Sequence, residues 1–203
     1  MTQTTFTIAA SGDDSRLRRT GATYPPTGGV AVLATGTDLD VWKEWSGSQF
    51  DCRLQFLRFD TSAISDDQTI TNVVLRIVTG VSANVDSRNL NIEWYQGTTW
   101  ASEAVIDTDD WTDDVGTTAG AVSLDTASAA SVAIDFTLSN GEANINKTGF
   151  TGIRLGISGV EPVGANEYWG KSWDHATFAP PDLVVDYSPA SIQIQSTVSA
   201  LRW

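Results

Sequence analysis

Along this chain of 203 residues apolar and polar side chains alternate repeatedly, and apolar residues almost nowhere recur at the three-to-four spacing of a helix. Thr5–Ala9 opens with a short alternating run. The longest runs from Phe50 to Asp60: Phe50, Cys52, Leu54 and Phe56 share one parity, then Leu57 and Phe59 take the other. A switch of that kind predicts a β-bulge near Phe56 or Leu57. Val73, Leu75 and Ile77 within Ile70–Thr79, and Leu90, Ile92 and Trp94 within Leu90–Tyr95, predict half-buried strands. The cleanest alternation lies in Val132–Leu138, Ile153–Ile157 and Leu183–Tyr187.

Turn formers separate these runs: Ser11-Gly12-Asp13-Asp14, Pro25-Pro26-Thr27-Gly28-Gly29, Ser65-Asp66-Asp67, Ser139-Asn140-Gly141 and Ala179-Pro180-Pro181-Asp182. Residues 141–149 have room for one helical turn. Strands at this spacing predict an all-β fold, a two-sheet antiparallel β-sandwich of jelly-roll type with little helix, in one domain over residues 1–187. Phe56, Leu75, Ile77, Ile134, Phe136, Leu155, Leu183 and Val185 are expected to line a shared core. From Ser188 the composition shifts to a C-terminal tail, residues 188–203, rich in Ser and Gln. Its Ile192, Ile194, Leu201 and Trp203 are apolar anchors for a neighbouring subunit, the alternative being that the tail folds back on its own domain.

Composition narrows the partners. Hydrophobic residues make up 41% of the chain and include 8 Trp and 7 Phe, enough to fill one interior by packing alone. With 12 basic against 25 acidic residues the net charge is −13, which repels phosphate backbones and anionic lipid, so nucleic acid is not an expected partner. No segment approaches the roughly 18 consecutive apolar residues of a membrane-spanning helix, so no membrane insertion is expected. The opening MTQTTFTIAA has neither the basic region nor the apolar run of a secretion signal, and synthesis in the cytoplasm is expected. Cys52 stands alone, which excludes an intramolecular disulfide, and its apolar parity predicts a buried thiol.

Four stretches together resemble the DNRLRE-type β-sandwich, a domain related to carbohydrate-binding modules and found in bacterial surface proteins and tailed-phage proteins. They are residues 56–64 (FLRFDTSAI), 69–77 (TITNVVLRI), 91–94 (NIEW) and 179–187 (APPDLVVDY). The resemblance spans roughly residues 5–187, with Val74 where that family often has Ala. It implies a sandwich, and carbohydrate binding as one function. At the same positions Asp60, Thr61 and Ser62 can end a strand through side-chain bonds to the backbone, while Ile64 and Ile70 bracket a loop and turn inward.

Candidate chemistry is sparse. His175 is the only histidine, so serine, cysteine and multi-histidine metal arrangements have one imidazole to build on; its bland alternative is a locally bonded rim residue. Paired carboxylates for glycan hydrolysis leave no sequence spacing and single out no residues. Asp107, Asp109, Asp110 and Asp113 form the densest acidic stretch, with oxygens of the kind Ca²⁺ prefers; a solvated acidic loop is the alternative, and no other cofactor is expected. Asp13-Asp14 is a weaker pair of the same sort. Trp42, Trp45, Tyr168, Trp169 and Trp173 could form a sugar-stacking platform, against the alternative that they fill the core.

These features favour a non-catalytic virion structural protein of a tailed phage, a head-decoration or tail-surface subunit made in the host cytoplasm. Its partners would be other virion proteins, further copies of itself, and surface glycans. An extracellular carbohydrate-binding module is the alternative, and a glycan hydrolase a third.

Overall fold

A computed structural model describes residues 1–33, 36–80, 82–95, 111, 117–127, 131–172 and 174–190. The fold is an all-β antiparallel sandwich whose hydrogen-bonded network does not close. One layer runs β1 (Thr2–Thr7), β13 (Asp182–Pro189), β6 (Gln68–Thr79) and β10 (Val132–Leu138). The other runs β5 (Phe50–Asp60), β11 (Phe150–Ile157), β8 (Asn89–Tyr95) and β9 (Thr118–Ser123). Taken in chain order, these eight strands alternate between the layers except at β8 to β9, which is the connectivity of a jelly roll. Helix among the described residues includes α1 (Leu124–Ala127), α2 (Gly141–Asn144) and a 3₁₀ turn at Ser11–Asp13; α2 falls in the segment expected to hold a helical turn.

Inward side chains follow the register. Phe6, Leu183, Leu75 and Phe136 lie opposite one another across the first layer, and Leu57, Ile153 and Trp94 across the second. Both sets join one cluster, with Ile134 packed against it partly buried. Phe56 departs from the expected core: it lies in a second cluster with Leu17 and Tyr95, against which Val30, Val32, Leu54 and Trp111 pack.

That departure has a cause in β5. No register shift interrupts its ladders, so the expected bulge is absent and the parity switch has another origin. Both faces of β5 are buried: Phe56 faces the second cluster, Leu57 and Phe59 the main core. Along one edge β5 pairs with β4 (Asp38–Trp45) at Phe50–Arg53, then with β11 at Gln55–Asp60. Its other edge carries β2 (Arg16–Gly21), to which β3 (Val30–Leu33) is added. Gln55, 1% exposed, sits where the partners change; its side chain accepts from Asp40 N–H (3.3 Å) and donates to the Asp14 and Ser15 carbonyls (2.8 and 3.0 Å). A fork in a ladder leaves backbone groups without strand partners, and one amide supplies both a donor and an acceptor.

A last pair joins the layers. β12 (Ala165–Lys171) runs along β4, pairs with the two-residue β7 (Ala83–Asn84), and meets β6 through Gly170 opposite Thr79. A Cβ on Gly170 would lie 2.8 Å from Ile77 Cγ2, so the bridge needs a glycine there. The strand end after Asp60 forms as expected: Asp60 Oδ1 accepts from Ser62 N–H and Oγ, and Thr61 Oγ1 donates to the Asn146 and Gly149 carbonyls. Ile64 and Ile70 both reach the core.

Two substitutions probe this packing. Leu155, fully buried in the main cluster, is expected to lower unfolding free energy by about 2–5 kcal/mol when truncated to Ala, as read from chemical denaturation. Tyr168 is also fully buried, with a hydroxyl that has no hydrogen-bond partner among the described residues and a pKa pushed up by burial. Removing an unpaired buried hydroxyl relieves a desolvation penalty, so Tyr168→Phe is expected to leave stability unchanged or raise it. A loss above about 1 kcal/mol would mean the hydroxyl is paired.

Candidate functional site: a charged and aromatic sheet face

Strands β2, β5, β4 and β12 lie side by side, and their register puts one parity on a common outer face. From β2 come Arg16 and Arg18, from β5 Asp51 and Arg53, from β4 Asp38, Asp40 and Trp42, and from β12 Glu167, Trp169 and Lys171. The opposite parity of β4 and β12 supplies Leu39, Val41 and Tyr168 to the core. These strands are therefore amphipathic, with charge and indole where a plain sandwich would carry small polar residues.

The charges are organised around Arg53. Its guanidinium donates to Asp40 Oδ2 and to Asp51, at 2.8 Å from Oδ2, while lying 4.2 Å from the centre of the Trp42 ring. Arg16 also donates to Asp40 Oδ2, and Arg18 reaches Asp51 through Nε and Nη2. Asp40 and Asp51 are 3% and 5% exposed, and each has two guanidinium partners, without which a buried carboxylate is costly. Burial alone would raise the Asp51 pKa, but hydrogen bonds from Arg53 and Arg18 outweigh it and hold the carboxyl below its ordinary range. Burial likewise works against the Arg53 charge, and Asp51 with Asp40 outweighs it.

Trp42 and Trp169 meet on this face with ring centres 6.2 Å apart and planes tilted by 55°, both half-buried. Trp169 Nε1 donates to Glu167, and Lys171 bonds Asp38 at 2.7 Å with its ammonium 6.0 Å from the Phe178 ring. Trp42 Nε1 and Asp40 Oδ1, a donor and an acceptor two residues apart on one strand face, are covered and have no hydrogen-bond partner among the described residues.

The aromatic platform read from sequence is thus divided. Trp42 and Trp169 come together. Trp45 points to the opposite side, with its ring 4.5 Å from that of Phe50, which also meets Tyr24 edge-on at 5.4 Å. Tyr168 is a core residue and is withdrawn from the platform, because its parity on β12 is the inward one. Trp173 lies outside the described residues, as do Asp107, Asp109, Asp110 and Asp113 and the tail anchors Ile192, Ile194, Leu201 and Trp203. Among the described residues no group of three or more His, Cys, Asp or Glu is placed to hold a metal ion. The Asp13 carboxylate is taken by the buried Arg58, whose guanidinium stacks 4.2 Å from the Phe150 ring centre.

His175 Nδ1 accepts from the Thr177 and Phe178 N–H groups, each at 3.2 Å, which is the local bonding of a rim residue. The Cys52 thiol is buried and its pKa pushed up to about 11, the desolvation expected of a packing residue rather than a nucleophile. Arg16, Arg18, Arg53, Asp40 and Asp51 were not legible as a site. The available signal was opposite charge at period two, arginines on β2 against aspartates on β4 and β5.

The fold and this face define a β-sandwich module with a charge-paired, tryptophan-bearing sheet surface. Compared with known families and with curated proteins, the chain matches no family model and no curated protein.

The Asp51 pairing sets a pH dependence. A carboxyl whose folded pKa is depressed adds stability above its unfolded pKa and loses it as pH falls through the folded value. Asp51→Asn is therefore expected to melt below the parent at pH 7, with the gap closing as both are acidified from about pH 4 towards 2. Thermal melts across that series measure it, and a constant gap would assign the loss to something other than the ionised carboxylate.

Proposed function

We propose that this chain is a non-catalytic recognition module that takes a glycan on the outer face of β2, β5, β4 and β12. The observation that carries the reading is the Trp42–Trp169 pair, half-exposed and held beside a fixed lattice of Arg16, Arg18, Arg53, Asp40 and Asp51. Sugar rings offer C–H faces that pack on indoles, and hydroxyls that need donors and acceptors already in place. Rotation of an indole would open the unpaired Trp42 Nε1 and Asp40 Oδ1 to one such hydroxyl. Restrained side chains lose little entropy on binding, which favours recognition over turnover. Buried Cys52 and locally bonded His175 support the non-catalytic reading.

Membership of the DNRLRE-type sandwiches is part of the same proposal, supported by the strand end at Asp60–Ser62 and the inward Ile64 and Ile70. The wider setting we propose is a structural subunit on the surface of a tailed-phage particle, favoured by one observation: among the described residues the apolar strand β3 pairs on one edge alone, which suits assembly.

Isothermal titration against a panel of bacterial surface polysaccharides tests the glycan reading. Trp42→Ala and Trp169→Ala are each expected to weaken binding at least tenfold, about 1.4 kcal/mol, with unchanged melting. Trp45→Ala, on the other side of β4, is expected to bind as the parent does. Absence of binding across the panel, or equal affinity in all three variants, would overturn it.

A further inference from the structure

We infer that the glycan taken on the outer face of β2, β5, β4 and β12 is an uncharged one, and that the face refuses sugars bearing a carboxylate. The inference rests on the glycan reading above and adds the chemical class of the ligand. Register again supplies the starting point. It puts Arg16, Arg18, Arg53 and Lys171 on the outer parity, and with them Asp38, Asp40, Glu44, Asp51 and Glu167. Four cations thus share the face with five carboxylates, in a chain of net charge −13. Each of these four cations is already in an ion pair: Arg16 and Arg53 hold Asp40, Arg18 and Arg53 hold Asp51, and Lys171 holds Asp38.

A sugar carboxylate arriving here would have to draw a cation away from its partner. Asp40 and Asp51 are buried, and a buried carboxylate stripped of a guanidinium is strongly destabilised. Lys171 is the exception, because its partner Asp38 has a side chain 27% exposed and can be rehydrated. The two covered atoms at the centre of the face have the same preference. Trp42 Nε1 has one hydrogen bond to donate and Asp40 Oδ1 can accept one. A sugar hydroxyl answers both, since it accepts and donates, and so does an acetamido group. A carboxylate only accepts: it would satisfy the indole and set a second negative charge against Asp40. An ammonium only donates, and it would join Arg16 and Arg53 around a carboxylate they already neutralise. Uncharged polar groups are the ones that complete this pair.

Charge at longer range acts in the same sense. A net charge of −13 repels a polyanionic chain before contact, and salt screens that repulsion. An uncharged chain feels neither, so its affinity does not vary with ionic strength.

The test is isothermal titration of the full chain with uncharged polysaccharides, namely an α-glucan, a β-glucan, a galactan and a mannan. Each is paired with a form oxidised at C6, in which the hydroxymethyl group has become a carboxylate. The expected result is that an uncharged polymer binds, that Trp42→Ala weakens it, and that its oxidised form binds at least about tenfold more weakly. Affinity for the uncharged form is expected to stay constant between about 0.02 and 0.5 M salt. Asp38→Asn unpairs Lys171 while keeping an acceptor for Thr37 Oγ1. It is expected to narrow the gap between the two forms about threefold or more, leaving affinity for the uncharged form as it was. An oxidised polymer that binds as tightly as its uncharged parent or tighter, and loses that binding in Trp42→Ala, would overturn this inference and leave the glycan reading standing. A gap of unchanged size in Asp38→Asn would overturn it as well. Binding to no polymer in either form would overturn both.

Discussion

Everything in this fold turns on how one strand serves two sheets. β5 keeps an unbroken alternation for eleven residues, yet its partner on one edge changes from β4 to β11 between Arg53 and Gln55. The face that carries Asp51 and Arg53 outside the β4 side is the face that carries Leu57 and Phe59 inside the β11 side. Polar and apolar residues therefore occupy one parity of one strand without conflict. Gln55 ties the fork to its surroundings: its side chain accepts from Asp40 N–H on β4 and donates to the Asp14 and Ser15 carbonyls ahead of β2.

The charged surface follows from that geometry. Because β4 leaves β5 at the fork, its Leu39 and Val41 can close the core from the side while Asp38, Asp40 and Trp42 point away. Two buried carboxylates on an outward face require compensation, and Arg53 provides it by pairing with both while stacking on Trp42. Losing one member of such a set strands its partners, so Asp40, Asp51 and Arg53 are coupled, and their individual effects on stability are not additive.

The legible part of the fold was the part with one apolar face and one polar face. Val132–Leu138 and Phe50–Asp60 were bounded to the residue, and the inward positions of β6, β11 and β13 could be read from parity alone. β2, β4 and β12 escaped because alternation there is short: Leu39 and Val41 are followed by Lys43, Tyr168 is followed by Gly170, and β2 has Leu17 as its only large apolar side chain. Those same strands hold the candidate site, so the site was hidden by what makes it polar. Trp42 and Trp169 were recognised as aromatics of interest, but separating them from Trp45 and Tyr168 requires the register of β4 against β12, which joins residues more than a hundred positions apart.

The pairing of β1 with β13 has a mechanical meaning. Thr2 lies opposite Tyr187, so the outer ends of β1 and β13 sit side by side, with β13 held along its other edge by β6. Tension applied across those two points would load the six paired positions of β1 and β13 in sequence rather than together, peeling β1 off like a zip while the opposite layer stays shielded. A body hung from both ends would instead swing about one anchorage point, presenting its faces as a rigid pendant.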